Sequence, residues 1–280
     1  MNVNLNNIPP KHCTAVILAG GSGSRMKNSV AKQFMLLKGK PLLWYSLQAV
    51  QQSQIIDDCI LVAGNGENTA EIETVSILDY VRSEIVDKYG FTKVAAVIPG
   101  GEERCWSVEN AMALLRSLEG EGWTDCESYI FIHDSARPFL TEDILKRTFE
   151  AVQQYRACVA AMPSKDTVKL ADDDAFAAST PDRSKVWTIQ TPQVFERTLI
   201  TGAYECLRHQ YHSVSAEPSA LSAEGTVTNL SVGSGPPPVT DDASVVERFT
   251  DVRVKLVEGS YQNIKITTPE DIKVAEAFLA

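Results

Sequence analysis

Five apolar runs recur through the first 163 residues: CTAVILA (13–19), CILVAG (59–64), KVAAVIPGG (93–101), YIFIHD (129–134) and ACVAAMP (157–163). Runs without polar alternation suit strands covered on both faces, the situation of a parallel sheet. Segments with helical spacing separate them: 41–52, 77–90, 107–118 and 141–155. Gly90 is placed to close the second, and Ser107 and Thr141 to cap the third and fourth. This alternation predicts an α/β fold, a Rossmann-like, mostly parallel sheet flanked by helices.

After residue 163 the rhythm breaks. Residues 165–193 hold two short β-like pieces around an acidic, Ala-rich middle, expected to form a β-hairpin arm protruding from the sheet. A helix is expected over 196–210, then a flexible loop over 211–239, rich in Ser, Pro and Gly. DASVVERF reads as helix, VRVKLVEG and NIKIT as strands, and PEDIKVAEAFLA as a helix with Pro269 in its first turn. Residues 1–12 read as a disordered lead-in, and the 280 residues as a single domain.

Charge narrows the partners. With 26 basic and 36 acidic residues the formal net charge is -10, which argues against nucleic acid. No apolar stretch reaches the roughly 20 residues of a membrane span, so no membrane association is expected. The six cysteines form no C-x-x-C pair, which removes zinc-site spacing and suits a reducing cytoplasm.

Three loops at predicted strand ends bear the chemistry. AGGSGSRMKNSVAKQF (19–34) follows the first strand; its Gly20, Gly21 and Gly23 let backbone N–H groups approach phosphate, and Arg25 and Lys32 add positive charge. It is neither a Walker A loop, which needs G-K-[ST], nor G-x-G-x-x-G. In PGGEERCWSV (99–108), Arg104 and Ser107 can anchor a base or ribose, or pair with Glu102 and cap the helix. In HDSARPF (133–139), Asp134 stands at the carboxyl end of a strand, where open α/β sheets bind ligands; it can hold Mg²⁺, and Arg137 can fork onto phosphate. His133 reads as structural, and Lys265 follows a strand-like run from which it can reach a phosphate.

Taken in order, AGGSGSRM, KQF, GGEER–SV, HDSARPF, KDTVK, DRSKVW, QTPQVF, TDDASVVE and LVEGSYQNIKITTPED closely resemble the 2-C-methyl-D-erythritol 4-phosphate cytidylyltransferase family, from residue 13 to 280. The resemblance implies an enzyme that transfers a cytidylyl group from CTP to that polyol phosphate, with Mg²⁺ or another divalent cation. It implies that Ala19, Gly20, Gly21 and Gly23 line the triphosphate, with Arg25 and Lys32 on its charge. Gly101, Glu102 and Ser107 would recognise cytosine, and Asp134 would lie by the metal. Arg137, Thr191 and Lys265 would meet the substrate phosphate or polyol. Thr167 and Arg183 would come from the arm of a second subunit in a homodimer built through residues 165–193. A ribitol-5-phosphate cytidylyltransferase is the alternative, with the same chemistry on another polyol. KDTVK, the Arg183–Trp187 spacing and TDDASVVE favour methylerythritol phosphate.

Overall fold

The computed structural model describes residues 11–20, 31–64, 76–118, 127–215 and 239–280. In chain order the elements are β1 (His12–Ala19), β2 (Leu36–Leu37), β3 (Lys40–Pro41), α1 (Leu42–Gln52), β4 (Asp58–Ala63), α2 (Ile77–Tyr80) continued by a π-helical stretch (Val81–Asp87), β5 (Val94–Pro99), α3 (Arg104–Ser117), β6 (Ser128–Asp134), α4 (Glu142–Tyr155), β7 (Ala157–Pro163), β8 (Leu170–Ala171), β9 (Ala177–Ser179), β10 (Trp187–Glu196), α5 (Arg197–Ser215), α6 (Asp242–Phe249), β11 (Lys255–Glu258) and α7 (Pro269–Phe278).

Seven strands form one sheet in the order β11-β7-β10-β6-β1-β4-β5. The neighbours pair in parallel except at β10, which runs antiparallel to both β6 and β7. Strand β1 shows why its sequence is apolar throughout. Cys13, Ala15, Ile17 and Ala19 pack on one face with Leu43, Leu47, Val81, Ile85, Ile144 and Val152. Val16 and Leu18 pack on the other with Val108, Met112, Ile200, Tyr204 and Val246. Period-two alternation thus sends adjacent residues into two separate cores, and each fully buried aliphatic side chain contributes about 1.5–3 kcal/mol.

Local chemistry sets several helix ends. The Thr141 hydroxyl accepts from the Ile144 N–H, and Glu142 and Asp143 in the first turn of α4 complement the helix dipole. Asp241 and Ser244 form a reciprocal capping box on α6. Pro269 opens α7.

Five readings of the sequence need correction. Residues 187–193 belong to a strand inside the main sheet, so the arm's own hairpin is the short β8–β9 pair. Helix α3 starts at Arg104, and Ser107 lies inside it instead of capping it. Helix α5 extends to Ser215, into the stretch read as loop, of which 216–238 lie outside the described residues. NIKIT (263–267) forms no strand, because hydrogen bonds to loops hold its backbone: Asn263 N donates to Ser260 O and Ile266 N to Ala136 O. His12, placed in the lead-in, begins β1, while residues 1–10 lie outside the described residues.

Candidate active site

Strands β1, β4, β5 and β6 are parallel neighbours, so their carboxyl ends open on one edge of the sheet. Leu18 pairs with Asp134, and the Ser135 N–H donates to Leu18 O, which sets the end of β6 beside Ala19 and Gly20. The end of β5 is tied to β4 where Gly100 N donates to Ala63 O, 2.5 Å.

The loop after β5 is held by Ser107. Its Oγ accepts from Gly101 N at 3.0 Å and donates to Glu103 O at 3.2 Å. A methyl group on Gly101 would overlap the Trp106 Cβ, so only glycine fits there without displacing backbone. Gly20 differs, since a methyl group there would meet Ser107 Oγ at an ordinary 3.8 Å. Glu102 is exposed on the same loop.

Asp134 is the centre of charge. Arg104 Nε lies 3.0 Å from its Oδ1, and Lys265 Nζ lies 2.7 Å from its Oδ2. Burial would raise the carboxyl pKa, but the opposing charges of Arg104 and Lys265 hold it well below the usual carboxylate range. Arg104 also forks onto Asp242 at 2.9 and 2.8 Å, and Asp242 accepts from the Tyr204 hydroxyl at 2.7 Å. Arg104 therefore joins the ends of α3, β6 and α6 instead of pairing with Glu102, the partner open to it in the sequence reading.

Behind Asp134 lies a neutral histidine. His133 Nε2 is 3.0 Å from Arg137 O, and its Nδ1 is 2.9 Å from Thr191 Oγ1. Burial pulls its pKa down to about 4, so the ring is uncharged near neutrality. A carbonyl only accepts, hence Nε2 donates to Arg137 O and Nδ1 accepts from the Thr191 hydroxyl. Thr191 Oγ1 also accepts from Asp134 N at 3.2 Å. Arg137 donates to Asn263 O at 2.7 Å and to Ile189 O at 3.3 Å.

The structure thus brings together Asp134, Arg137, Thr191 and Lys265 from the expected set. Gly21, Gly23 and Arg25 lie outside the described residues. Lys32 begins a 3₁₀ turn, Lys32–Phe34, seated by buried Gln33 and by Phe34 edge-on to Tyr80. Thr167 and Arg183 are exposed on the arm, and Arg183 donates to Lys165 O at 3.4 Å. Among the described residues no hydrogen bond or ion pair joins those two to the Asp134 cluster. Sequence reading gave no site role to Asp242, Tyr204 or Asn263; TDDAS was the one signal that pointed at the first of them.

The sequence matches the family described as "IspD: 2-C-methyl-D-erythritol 4-phosphate cytidylyltransferase" over residues 13–236 and 232–280. A protein of that name from Lachnospira eligens is 42% identical over 266 residues, spanning 95% of this chain and 98% of its own. One from Lachnoclostridium phytofermentans is 40% identical over 266 residues, spanning 95% of each chain. The crystal structure of 4-diphosphocytidyl-2C-methyl-D-erythritol synthase from Anaerococcus prevotii superposes with a TM-score of 0.68 at 31% identity, covering 96% of each chain.

Proposed function

The chain belongs to the 2-C-methyl-D-erythritol 4-phosphate cytidylyltransferase family, and on that premise we propose how its residues perform the transfer. The reaction moves a cytidylyl group from CTP onto 2-C-methyl-D-erythritol 4-phosphate, giving CDP-methylerythritol and pyrophosphate. A phosphate oxygen of the acceptor attacks the α-phosphorus of CTP in line, and the bond to pyrophosphate breaks. The acceptor is already ionised near neutral pH, so no general base is needed. Two anions must meet, which makes positioning and charge neutralisation the enzyme's task.

The observation that carries this reading is the Arg104–Asp134–Lys265 cluster at the carboxyl end of β6, beside the end of β1. Backbone N–H groups from Ala19 to Gly23 and the cations Arg25 and Lys32 receive the triphosphate. Gly101, Glu102 and Ser107 frame the cytosine, with the Ser107 hydroxyl fixing the loop from below. Lys265, 40% exposed at its side chain, turns its charge to the acceptor phosphate beside Arg137 and Thr191.

Mg²⁺ or another divalent cation fits this site as a partner of phosphate. Asp134 is ionised, and each of its oxygens keeps a lone pair beyond the one taken by Arg104 or Lys265. Among the described residues no group of three or more His, Cys, Asp or Glu could hold a metal, so Asp134 would be the one carboxylate offered to such an ion. When bound, the cation neutralises triphosphate charge.

The arm supports a homodimer, with Thr167 and Arg183 reaching the partner's pocket. Leu170 and Phe176 leave large apolar surfaces exposed on it, at 55% and 72%. The cytoplasm is the proposed location; no helix among the described residues is long and apolar enough to cross a membrane, and five of the cysteines are free. Pyrophosphate release tests the assignment, with CTP or UTP as donor and methylerythritol phosphate or ribitol 5-phosphate as acceptor. Release only with CTP and methylerythritol phosphate is expected, and equal turnover with UTP would refute the cytosine pocket.

A further inference from the structure

Lys265 lies on a segment with no regular secondary structure, yet it must hold a long, half-exposed side chain against Asp134. Irregular backbone of this kind needs its own anchor. Asn263, fully buried two residues upstream, supplies it. The Asn263 Nδ2 donates to Thr191 O at 2.8 Å and lies 3.3 Å from Gln190 Oε1.

These bonds close a ring. The His133 imidazole donates to the Arg137 carbonyl, and the Arg137 guanidinium donates to the Asn263 carbonyl. The Asn263 amide then donates to the Thr191 carbonyl, and the Thr191 hydroxyl donates back to His133. Each side chain donates once in the same sense around the circle, and three segments are tied by it: the end of β6, the middle of β10 and the 263–265 loop. Asp134 hangs from this ring through its N–H on Thr191 Oγ1, and Lys265 follows Asn263 by two residues.

We propose that Asn263 is a positioning residue, which fixes Lys265 relative to Asp134 through the closed ring Asn263–Thr191–His133–Arg137. It touches no reacting atom. Its effect runs through the placement of one ammonium group, and a misplacement of about 1 Å in such a site costs on the order of 100-fold in rate. The inference rests on the reading that Lys265 acts in the transfer.

A double-mutant cycle on pyrophosphate release tests it, with Asn263→Ala, Lys265→Ala and the double variant. Asn263→Ala is expected to lower kcat on the order of 10- to 100-fold while KM for CTP stays within about two-fold. In the Lys265→Ala background the same change should cost no more than about two-fold, because the group it positions is gone. A merely structural residue would impose its full penalty in both backgrounds. Asn263→Leu removes the amide at similar volume, and serves if Asn263→Ala fails to fold; it should show the same loss of additivity. Additive losses overturn the positioning role and leave Lys265's own role intact. A near-wild-type Lys265→Ala enzyme overturns both.

Discussion

Lys265 Nζ sits 2.7 Å from Asp134 Oδ2, across 131 residues of sequence, while Arg104 binds the other oxygen of the same carboxylate. One anion thus orders two cations at the edge where β1 and β6 end side by side. Lys265→Ala should lower turnover by about 100-fold or more, the effect of losing a transition-state electrostatic donor, and Lys32→Ala should do the same. Steady-state rates of folded proteins check this. A normal rate from Lys32→Ala would mean that the turn after β1 does not meet the triphosphate.

Arg104 has a structural burden besides its place in the site. Asp242 is fully buried and has Arg104 as its charged partner, with the Tyr204 hydroxyl as a third donor. Arg104→Ala leaves that carboxylate uncompensated and should cost about 3–5 kcal/mol of stability. Tyr204→Phe removes one hydrogen bond to a charged group and should cost about 1.5–3 kcal/mol. Urea unfolding of both variants gives the comparison, and equal small losses would show that the Arg104–Asp242 pair contributes little.

The two glycine loops predict opposite tolerance. Gly20→Ala places a methyl group at ordinary contact distance and should leave CTP kinetics within about two-fold. Gly101→Ala forces the backbone away from Trp106 and breaks the Gly101–Ser107 bond. KM for CTP should then rise on the order of 10-fold or more, since one to three kcal/mol of strain or lost contact is at stake. Unchanged CTP kinetics in Gly101→Ala would remove this loop from base recognition.

Far from the site, His12 Nε2 lies 2.8 Å from Asp58 Oδ2. That hydrogen bond, working against burial, raises the His12 pKa above its ordinary 6.5. A histidine with a raised folded pKa stabilises fully below 6.5 and loses that contribution as pH climbs through the folded value. His12→Gln should therefore lower the thermal midpoint at pH 6 more than at pH 9. A constant difference at both pH values would show that the pair is not ionic.

The sheet was legible because its signal is local: unbroken apolar runs can be read one strand at a time. Strand β10 was not, because its middle carries QTPQ (190–193), polar and broken by Pro192, in the centre of the sheet. What makes that tolerable is tertiary. The Gln193 amide bonds Asp241 and the Ala243 N–H, and the Gln190 amide bonds Ser260 O. Asp134 and Lys265 could be marked from strand ends and motif order, whereas the partners of Arg104 lie 30 and 138 residues away and carry no spacing to read. Ser107 showed the opposite trap, a good cap residue by type whose hydroxyl instead serves a loop six residues earlier.

The arm yields a prediction about assembly. The β8–β9 hairpin is short and every residue in it is exposed, and isolated two-stranded hairpins are marginal in water. It would gain from a surface to lie on, and the same arm of a second copy around a twofold axis would provide one. Arg183 would then complete the neighbour's site, so that each site combines Lys265 of one chain with Arg183 of the other. Arg183→Ala and Lys265→Ala proteins should each be nearly inactive alone. After subunit exchange, a heterodimer holds one intact site and one that lacks both groups. With about half of a random mixture in that form, roughly a quarter of wild-type activity should return. Heterodimers demonstrated by mass, with no return of activity, would show that each chain builds its site alone.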